Sequence, residues 1–455
     1  MGKILIIGAG KSTSSLAKYL GQKSQEYGLE ITIADKDILQ AEKMASLSPH
    51  LKARALDIFN DDERKAMVKA SDIVVSMLPA RFHIQVAYDC LEFEKHMVTA
   101  SYVSKEMEAL HEKAEFKGLT FMNEIGVDPG IDHMSAMQVI DKIKNSGGKM
   151  IMFESFTGGL VAPESDDNLW NYKFTWNPRN VVLAGQGGAA KFIQEGKYKY
   201  IPYQRLFRRT EFLVVPEFGK FEGYANRNSL QYREIYGLQD IPTLYRGTLR
   251  RVGYSKAWNV FVQLGMTDDT YVMEGTEGMS YRDFTNSFLP YSPTDSVELK
   301  LRHNLKIDQD DLIWDKLLEL DLFSAEKKIH LTDATPAQVL QTILEDKWTL
   351  KQEDKDMIVM YHKFGYELDG SQYQIDSTMV SLGENQTFTA MAKTVGLPVG
   401  MAALRILKGD ITQRGVIRPI LPEIYNPILL ELEDYGVKFN ERNVDYLGYN
   451  IENVK

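Results

Sequence analysis

Three short segments of this 455-residue chain gather residue types that can bind a polar substrate and move a proton. They are Ser76-Met77-Leu78-Pro79, Thr99-Ala100-Ser101-Tyr102, and Asn123-Glu124-Ile125-Gly126-Val127-Asp128-Pro129-Gly130-Ile131-Asp132-His133. Each follows a short apolar run, so each is expected at the carboxyl end of a buried strand. Open α/β sheets bind their ligands at that edge. Pro129 and Gly130 predict a sharp turn that holds Asp128 in place. A carboxylate there can accept a proton, and the Tyr102 phenol can hydrogen-bond a reacting amine. Asp132 and His133 open the next helix and read equally well as its cap.

The N-terminus adds a second kind of chemistry. Ile4-Leu5-Ile6-Ile7 runs straight into Gly8-Ala9-Gly10-Lys11-Ser12-Thr13, and helical spacing follows. In a dinucleotide-binding turn the first glycine closes the bend. The second lets the backbone approach the pyrophosphate, which sits at the helix N-terminus. The third position is normally Gly or Ala, so Thr13 predicts looser helix–strand packing. Gly10-Lys11-Ser12 also ends like a P-loop, but that loop needs a glycine where Leu5 stands. A glycine turn without a nucleotide is the plainer alternative.

The second apolar run ends in Ile33-Ala34-Asp35, about twenty-five residues beyond Gly10, where an acid would accept the ribose 2′-hydroxyl. Asp35 favours NAD over NADP, because its charge repels a 2′-phosphate; neighbouring Lys36 partly offsets that repulsion. Asp35 could instead cap a helix. Asp57, closing the third run, suits either the adenine end or a cap.

These positions need a scaffold, and the chain up to about residue 125 supplies the pattern of one. Apolar runs at Lys3–Ile7, Glu30–Ala34, Lys52–Ala55, Ile73–Ser76, His96–Thr99 and Thr120–Met122 alternate with helical stretches such as Ser14–Tyr27, Asp61–Ala70 and Lys105–Phe116. Nearly all-apolar strands separated by helices predict a doubly wound parallel sheet, an N-terminal Rossmann domain of class α/β. From Gly148 to about Gly370 the chain is richer in aromatic residues, arginine and turns. Longer strands (Lys149–Phe156, Arg246–Gly253) predict a larger mixed-sheet α/β domain, with helical spacing at Ser296–Leu320 and Pro336–Asp346. Met401-Ala402-Ala403-Leu404 reads as a tightly packed helix.

Composition narrows the class further. The net charge of −10 argues against nucleic acid or an anionic membrane as partner, without excluding an anionic substrate. Cys90 is the single cysteine, which excludes intramolecular disulfides and cysteine-rich zinc sites; no metal is expected. The first apolar run is too short for a signal peptide or a membrane span, and a cytoplasmic protein is the expectation.

The string EIGVDPGIDHM, with MVTASYVS before it and ESFTGGLVAPES after it, resembles the saccharopine reductases, the glutamate-forming saccharopine dehydrogenases. Tyr172-Lys173-Phe174-Thr175-Trp176, Tyr224-Ala225-Asn226-Arg227-Asn228-Ser229, Arg246-Gly247-Thr248-Leu249-Arg250 and the C-terminal MAKTVGLPVGMAA extend the resemblance over nearly the whole chain, in order. It implies three parts: a Rossmann domain at 1–128, a substrate-binding and dimerisation domain with a helical cover at 129–390, and a segment at 391–455 returning to the Rossmann domain. It also implies a homodimer. By the same resemblance, an NAD(P) cofactor would touch Gly8, Ala9, Gly10, Lys11, Asp35, Lys36, Asp57, Ile58, Leu78, Ala100, Ser101, Val127, Asp128, Pro129 and Asn177. Saccharopine would touch Ser101, Tyr102, Asp128, Arg227, Thr248, Leu249 and Arg250. Asp128 and Tyr102 are the catalytic candidates.

The chemistry of that substrate fits these residues. Saccharopine carries three carboxylates, and arginine binds a carboxylate through two charge-assisted hydrogen bonds. Arg227 and Arg250 are the first choices, with Arg246 and Arg179 in reserve; structural salt bridges are the alternative for each. Two positions depart from the family. Thr157 stands where many relatives have cysteine, so no mechanism here can use that thiol. Asp35-Lys36 lacks the arginine that marks NADP-selective fungal members. The alternatives to a saccharopine enzyme of lysine metabolism are a carboxynorspermidine-type polyamine reductase, whose pocket should need acids instead of Arg227 and Arg250, and a non-catalytic NAD(P)-sensing regulator.

Overall fold

The computed structural model describes residues 2–184, 186–446 and 448. Its strands in chain order are β1 (Lys3–Ile7), β2 (Glu30–Asp35), β3 (Leu51–Ala55), β4 (Ile73–Ser76), β5 (His96–Val98), β6 (Thr120–Met122), β7 (Lys149–Val161), β8 (Ala190–Gln194), β9 (Lys197–Ile201), β10 (Thr210–Val215), β11 (Gly219–Ala225), β12 (Thr243–Arg251), β13 (Asp356–Leu368), β14 (Ser371–Leu382), β15 (Gly415–Ile417) and β16 (Asn440–Val444). They form a seven-stranded parallel sheet and a nine-stranded mixed sheet. The expected α/β class, a doubly wound parallel sheet plus a larger mixed sheet, is the observed one.

Two compact units share the chain. The first comprises the described residues up to Met150 together with Tyr366–Val444; the second comprises Ile151–Gly365 and the described residues from Asp445. The breaks expected at 128 and 390 both fall inside the first unit's share. The reason is local packing. The Ile131–Asn145 helix lies against the Pro422–Glu433 helix, with the Tyr425 hydroxyl donating to Asp141 at 2.7 Å. The end of the expected C-terminal segment, residues 447 and 449–455, lies outside the described residues.

In the first unit the parallel sheet runs β15-β6-β5-β4-β1-β2-β3. Strand order therefore reverses between β1 and β4, the switch point at whose carboxyl edge such sheets open a binding crevice. Leu5, Ile7, Val74, Met97 and Phe121 belong to the apolar core on one side of this sheet. Strands buried on both faces need such near-continuous apolar runs. The Ala390–Lys408 helix packs against the Ser14–Tyr27 helix, and a Cβ at Gly396 would lie 2.8 Å from the Leu16 amide nitrogen. Small residues in that helix thus set a close helix–helix approach.

In the second unit β10-β11-β12-β7-β13 run side by side, with β8 paired to both β12 and β9. β12 pairs parallel with β7 and antiparallel with β11. Its core is aromatic: Trp170 stacks on Phe261 at 5.7 Å, and Tyr254 on Trp258 at 5.6 Å. Offset ring pairs of this kind contribute about 0.5–1.5 kcal/mol each beyond the area they bury.

Candidate active site

The glycine turn sits at the switch point. Gly8 has φ +108°, and a Cβ there would lie 2.8 Å from the Met77 carbonyl oxygen, just beyond β4. Only glycine closes this turn. Nothing lies within 4 Å of where a Cβ on Gly10 would be, so a ligand can approach the backbone directly. Thr13 corrects an expectation. It does not loosen the packing: it is 1% exposed, and its hydroxyl donates to the Gly8 carbonyl at 3.0 Å. A small third residue is replaced here by a tied one.

Asp35 ends β2 and faces the turn, its Oδ2 accepting from the Ala9 amide at 2.7 Å and its Oδ1 from the Asp37 amide at 3.0 Å. It does not cap the Ile38–Ala45 helix; Asp37 does. Lys36 and Lys11 are exposed. Asp57 accepts from the Phe59 amide at 3.0 Å and likewise is no cap, since Asn60 caps the following helix. The carbonyl of neighbouring Ile58 is held by buried Arg64, which also pairs with Asp89. The turn, the helix N-terminus behind it and the acid at the end of β2 are the parts that a dinucleotide requires, in their required order.

Along the same edge the loops after β5 and β6 come together. The Tyr102 hydroxyl donates to Asp128 Oδ1 at 3.0 Å, joining the two catalytic candidates. A Cβ on Gly126 would lie 2.9 Å from that of Ala100, so the two loops touch. The Asp128–Pro129 peptide is cis. Val127 is 7% exposed and Leu78 packs on the sheet's core, which limits either to an apolar contact with a ligand. Asp132 and His133 do not cap the Ile131–Asn145 helix; its N-cap is Gly130. Asp132 Oδ1 accepts from the Gly130 amide at 2.6 Å, and His133 Nε2 bonds Glu124 Oε2 at 2.8 Å.

Glu124 is the centre of this loop cluster, and sequence reasoning passed over it. It is 3% exposed and accepts from Val103 N at 3.1 Å and Arg418 Nε at 3.0 Å, while its own amide donates to the Ser101 carbonyl at 3.0 Å. Burial acts to raise its pKa, but His133, Arg418 and the Val103 amide outweigh it and hold the carboxyl at about 2. Its contribution to stability is therefore complete above the ordinary carboxyl pKa of ~4.3 and lost as pH falls through about 2. Glu124→Gln should cost about 1–3 kcal/mol in chemical denaturation near neutral pH, because His133, Arg418 and the Val103 amide lose a charged acceptor while Arg418 keeps Glu108 at 3.0 Å. A loss under about 1 kcal/mol would contradict this role.

The second unit carries the arginines. Arg250, on β12, is 5% exposed and ringed by Tyr172, Tyr224 and Tyr254, with its guanidinium carbon 5.0, 5.9 and 5.3 Å from the three ring centres. Burial opposes its charge, but the tyrosines around it outweigh that and raise its pKa. Among the described residues no carboxylate stands within ion-pair distance of it. Its Nε has no hydrogen-bond partner, and neither do the nearby buried Thr157 and Tyr172 hydroxyls. Buried charges are ordinarily paired. Its Nη1 donates to the Leu249 carbonyl at 2.8 Å, so the cation is hydrogen-bonded but lacks a counter-ion, an arrangement that can receive a carboxylate.

The other expected contacts are distributed differently. Arg227 is exposed and donates to the Leu183 carbonyl at 3.0 Å. Thr248 donates to Asn226 Oδ1 at 2.7 Å, and the Leu249 side chain is buried, which leaves only its backbone for a ligand. Asn177 caps the Pro178–Leu183 helix. Arg246 lies 4.1 Å over the Tyr232 ring, and Arg179 pairs with Asp269 at 3.3 Å. Two of the three tyrosines around Arg250 had a sequence signal, since Tyr172 and Tyr224 sit inside two of the matching strings, but the convergence of all three on one guanidinium is a property of the fold.

A dinucleotide turn at the switch point and a tyrosine–aspartate pair on the same edge define a nicotinamide-dependent oxidoreductase of Rossmann type. The family is equally definite. Residues 4–122 match the saccharopine dehydrogenase NADP binding domain and residues 126–437 the saccharopine dehydrogenase C-terminal domain. The chain belongs to the saccharopine dehydrogenase family.

Its relatives agree. The chain is 32% identical over 453 residues to saccharopine dehydrogenase [NADP(+), L-glutamate-forming] of Saccharomyces cerevisiae, covering 98% of this chain and 100% of the yeast protein. It is 34% identical over 452 residues to the mitochondrial alpha-aminoadipic semialdehyde synthase of Rattus norvegicus, covering 97% of this chain and 48% of that protein. The fold matches an apo histidine-tagged saccharopine dehydrogenase (L-Glu forming) from Saccharomyces cerevisiae with a TM-score of 0.87 and 30% identity, over 98% of this chain and 100% of that one.

Proposed function

We propose that this chain oxidises saccharopine to glutamate and α-aminoadipate semialdehyde, or runs the reverse reaction, in lysine metabolism. Arg250 carries the reading: a buried guanidinium without an acid suits a substrate with carboxylates, and a polyamine would place more positive charge near it. The bound dinucleotide supplies the hydride acceptor. The protein's own part is to prepare the amine. A protonated secondary amine cannot release hydride from its neighbouring carbon, so Asp128, oriented by Tyr102, takes that proton. Hydride loss leaves an imine on the substrate, and water adds to its carbon. The carbon–nitrogen bond then breaks, with nitrogen leaving on glutamate. Thr157 offers a hydroxyl at most, so no step uses a thiol.

The relatives' names point to NADP, whereas Asp35 weighs towards NAD. Two like charges about 4 Å apart repel by about 4 kcal/mol at an effective dielectric of 20. We therefore take NAD as the preferred form. Asp35→Ser should raise kcat/KM for NADP by about 10- to 100-fold, or about 1.4–2.8 kcal/mol, and leave NAD the poorer for a lost hydroxyl partner. Wild-type preference for NADP, unchanged in the variant, would contradict it.

Substrate class is tested by comparing saccharopine with carboxynorspermidine at equal concentration and assaying glutamate. Glutamate released in step with cofactor reduction supports the proposal. Turnover of the polyamine alone would replace it. The homodimer remains part of the proposal, and sedimentation at assay concentration tests it.

A further inference from the structure

We infer that His83 is a positioning residue whose task is to hold the Ser101 hydroxyl. The inference rests on the reading of Ser101 as part of the substrate and cofactor site. His83 opens the His83–Phe93 helix beyond β4 and is 4% exposed. Its Nδ1 lies 2.8 Å from Ser76 Oγ at the end of β4. Its Nε2 lies 2.7 Å from Ser101 Oγ and 3.2 Å from Thr99 Oγ1, both just beyond β5. One imidazole thus ties together the ends of two neighbouring strands on the binding edge.

The ring acts as a clamp. Burial lowers its pKa to about 4, so it stays neutral near pH 7 and carries a single N–H. Ser76 is 0% exposed, and its hydroxyl bonds only His83 among the described residues. A proton entering the ring from Ser101 would have nowhere to go, since Ser76 would have to lose its own proton with no acceptor near. The row of hydroxyls therefore fixes one tautomer instead of conducting. Without the ring, the half-buried serine samples its three staggered rotamers; with it, the hydroxyl keeps one. Ser101 immediately precedes Tyr102, so the clamp sets the polar group next to the Tyr102–Asp128 pair.

A double-mutant cycle on the full-length protein tests this, with His83→Asn, Ser101→Ala and the combination assayed for saccharopine oxidation. Misplacement of a reacting contact by about 1 Å can cost about 100-fold, so each single variant should lose about 10- to 100-fold in kcat. Saccharopine KM should rise in Ser101→Ala, which loses a contact, and by no more in His83→Asn, which only misplaces it. In the Ser101→Ala background, His83→Asn should cost nothing more. Full multiplication of the two losses, or normal kcat in His83→Asn, would overturn the inference. Should His83→Asn fail to fold, the ring nitrogens of the wild-type histidine are read by 15N NMR. One neutral tautomer from about pH 5.5 to 8.5 is expected, and a protonated or mixed ring overturns the clamp. That spectrum needs no turnover, so a wild-type protein inactive towards saccharopine would sink the functional reading while leaving the clamp testable.

Discussion

Arg250→Met is expected to lower kcat/KM for saccharopine by about 30-fold to several thousand-fold, the equivalent of about 2–5 kcal/mol. The same change should leave the free protein as stable as before, or more so. Both effects come from one geometry. The guanidinium is enclosed by Tyr172, Tyr224 and Tyr254, and its Nε has no partner. The three rings return about 2 kcal/mol of cation–π attraction. A buried charge without its counter-ion costs more than that, and an apolar residue of similar volume removes the cost. Arg250→Lys should not rescue activity, because a point charge cannot reproduce a two-pronged grip on a carboxylate. Denaturation and steady-state kinetics on the same preparations check this. Loss of stability and activity together would mean that Arg250 is a structural residue.

The second large effect is expected at Asp128. Asp128→Asn keeps the shape and can still meet the Tyr102 hydroxyl, but it cannot take a proton. Turnover should fall about 10²- to 10⁴-fold, the usual contribution of a positioned general base. The residual rate should climb with pH, as free hydroxide replaces the missing carboxylate, while dinucleotide binding stays intact. Near-normal turnover would remove Asp128 from the mechanism.

Much of the first unit was legible from local pattern. All six strands from β1 to β6 fall within one residue of the apolar runs, and the Ser14–Tyr27 helix has the expected bounds. Alternating buried strands and amphipathic helices leave few other solutions. Longer helical stretches were less well resolved. Lys105–Phe116 is two short helices, Lys105–Glu108 and His111–Phe116, and Ser296–Leu320 divides into Val297–Leu305 and Leu312–Glu319. Periodicity continues through such breaks, so it does not reveal them.

The site divided in the same way. Gly8, Asp35, Tyr102 and Asp128 stand in short strings whose spacing is itself the signal. Glu124, His83 and Arg418 act through partners on other loops and elements: His83 bonds Ser101 18 positions on, and Arg418 meets Glu124 across 294 positions. No local pattern announces such a partner. Thr13 misled for a related reason, because its hydroxyl turns back onto Gly8 and compensates for its size. Arg227 and Arg250 looked equivalent as arginines within matching strings. Burial separates them, one exposed and the other caged.

The central claim is nicotinamide-linked oxidation of saccharopine, and absorbance at the reduced-nicotinamide band tests it most directly. Purified protein is mixed with saccharopine and NAD, and then with saccharopine and NADP. The account predicts a saccharopine-dependent rise with both, faster with NAD. No rise with either cofactor, and no fall when glutamate, α-aminoadipate semialdehyde and reduced cofactor are supplied instead, would contradict it.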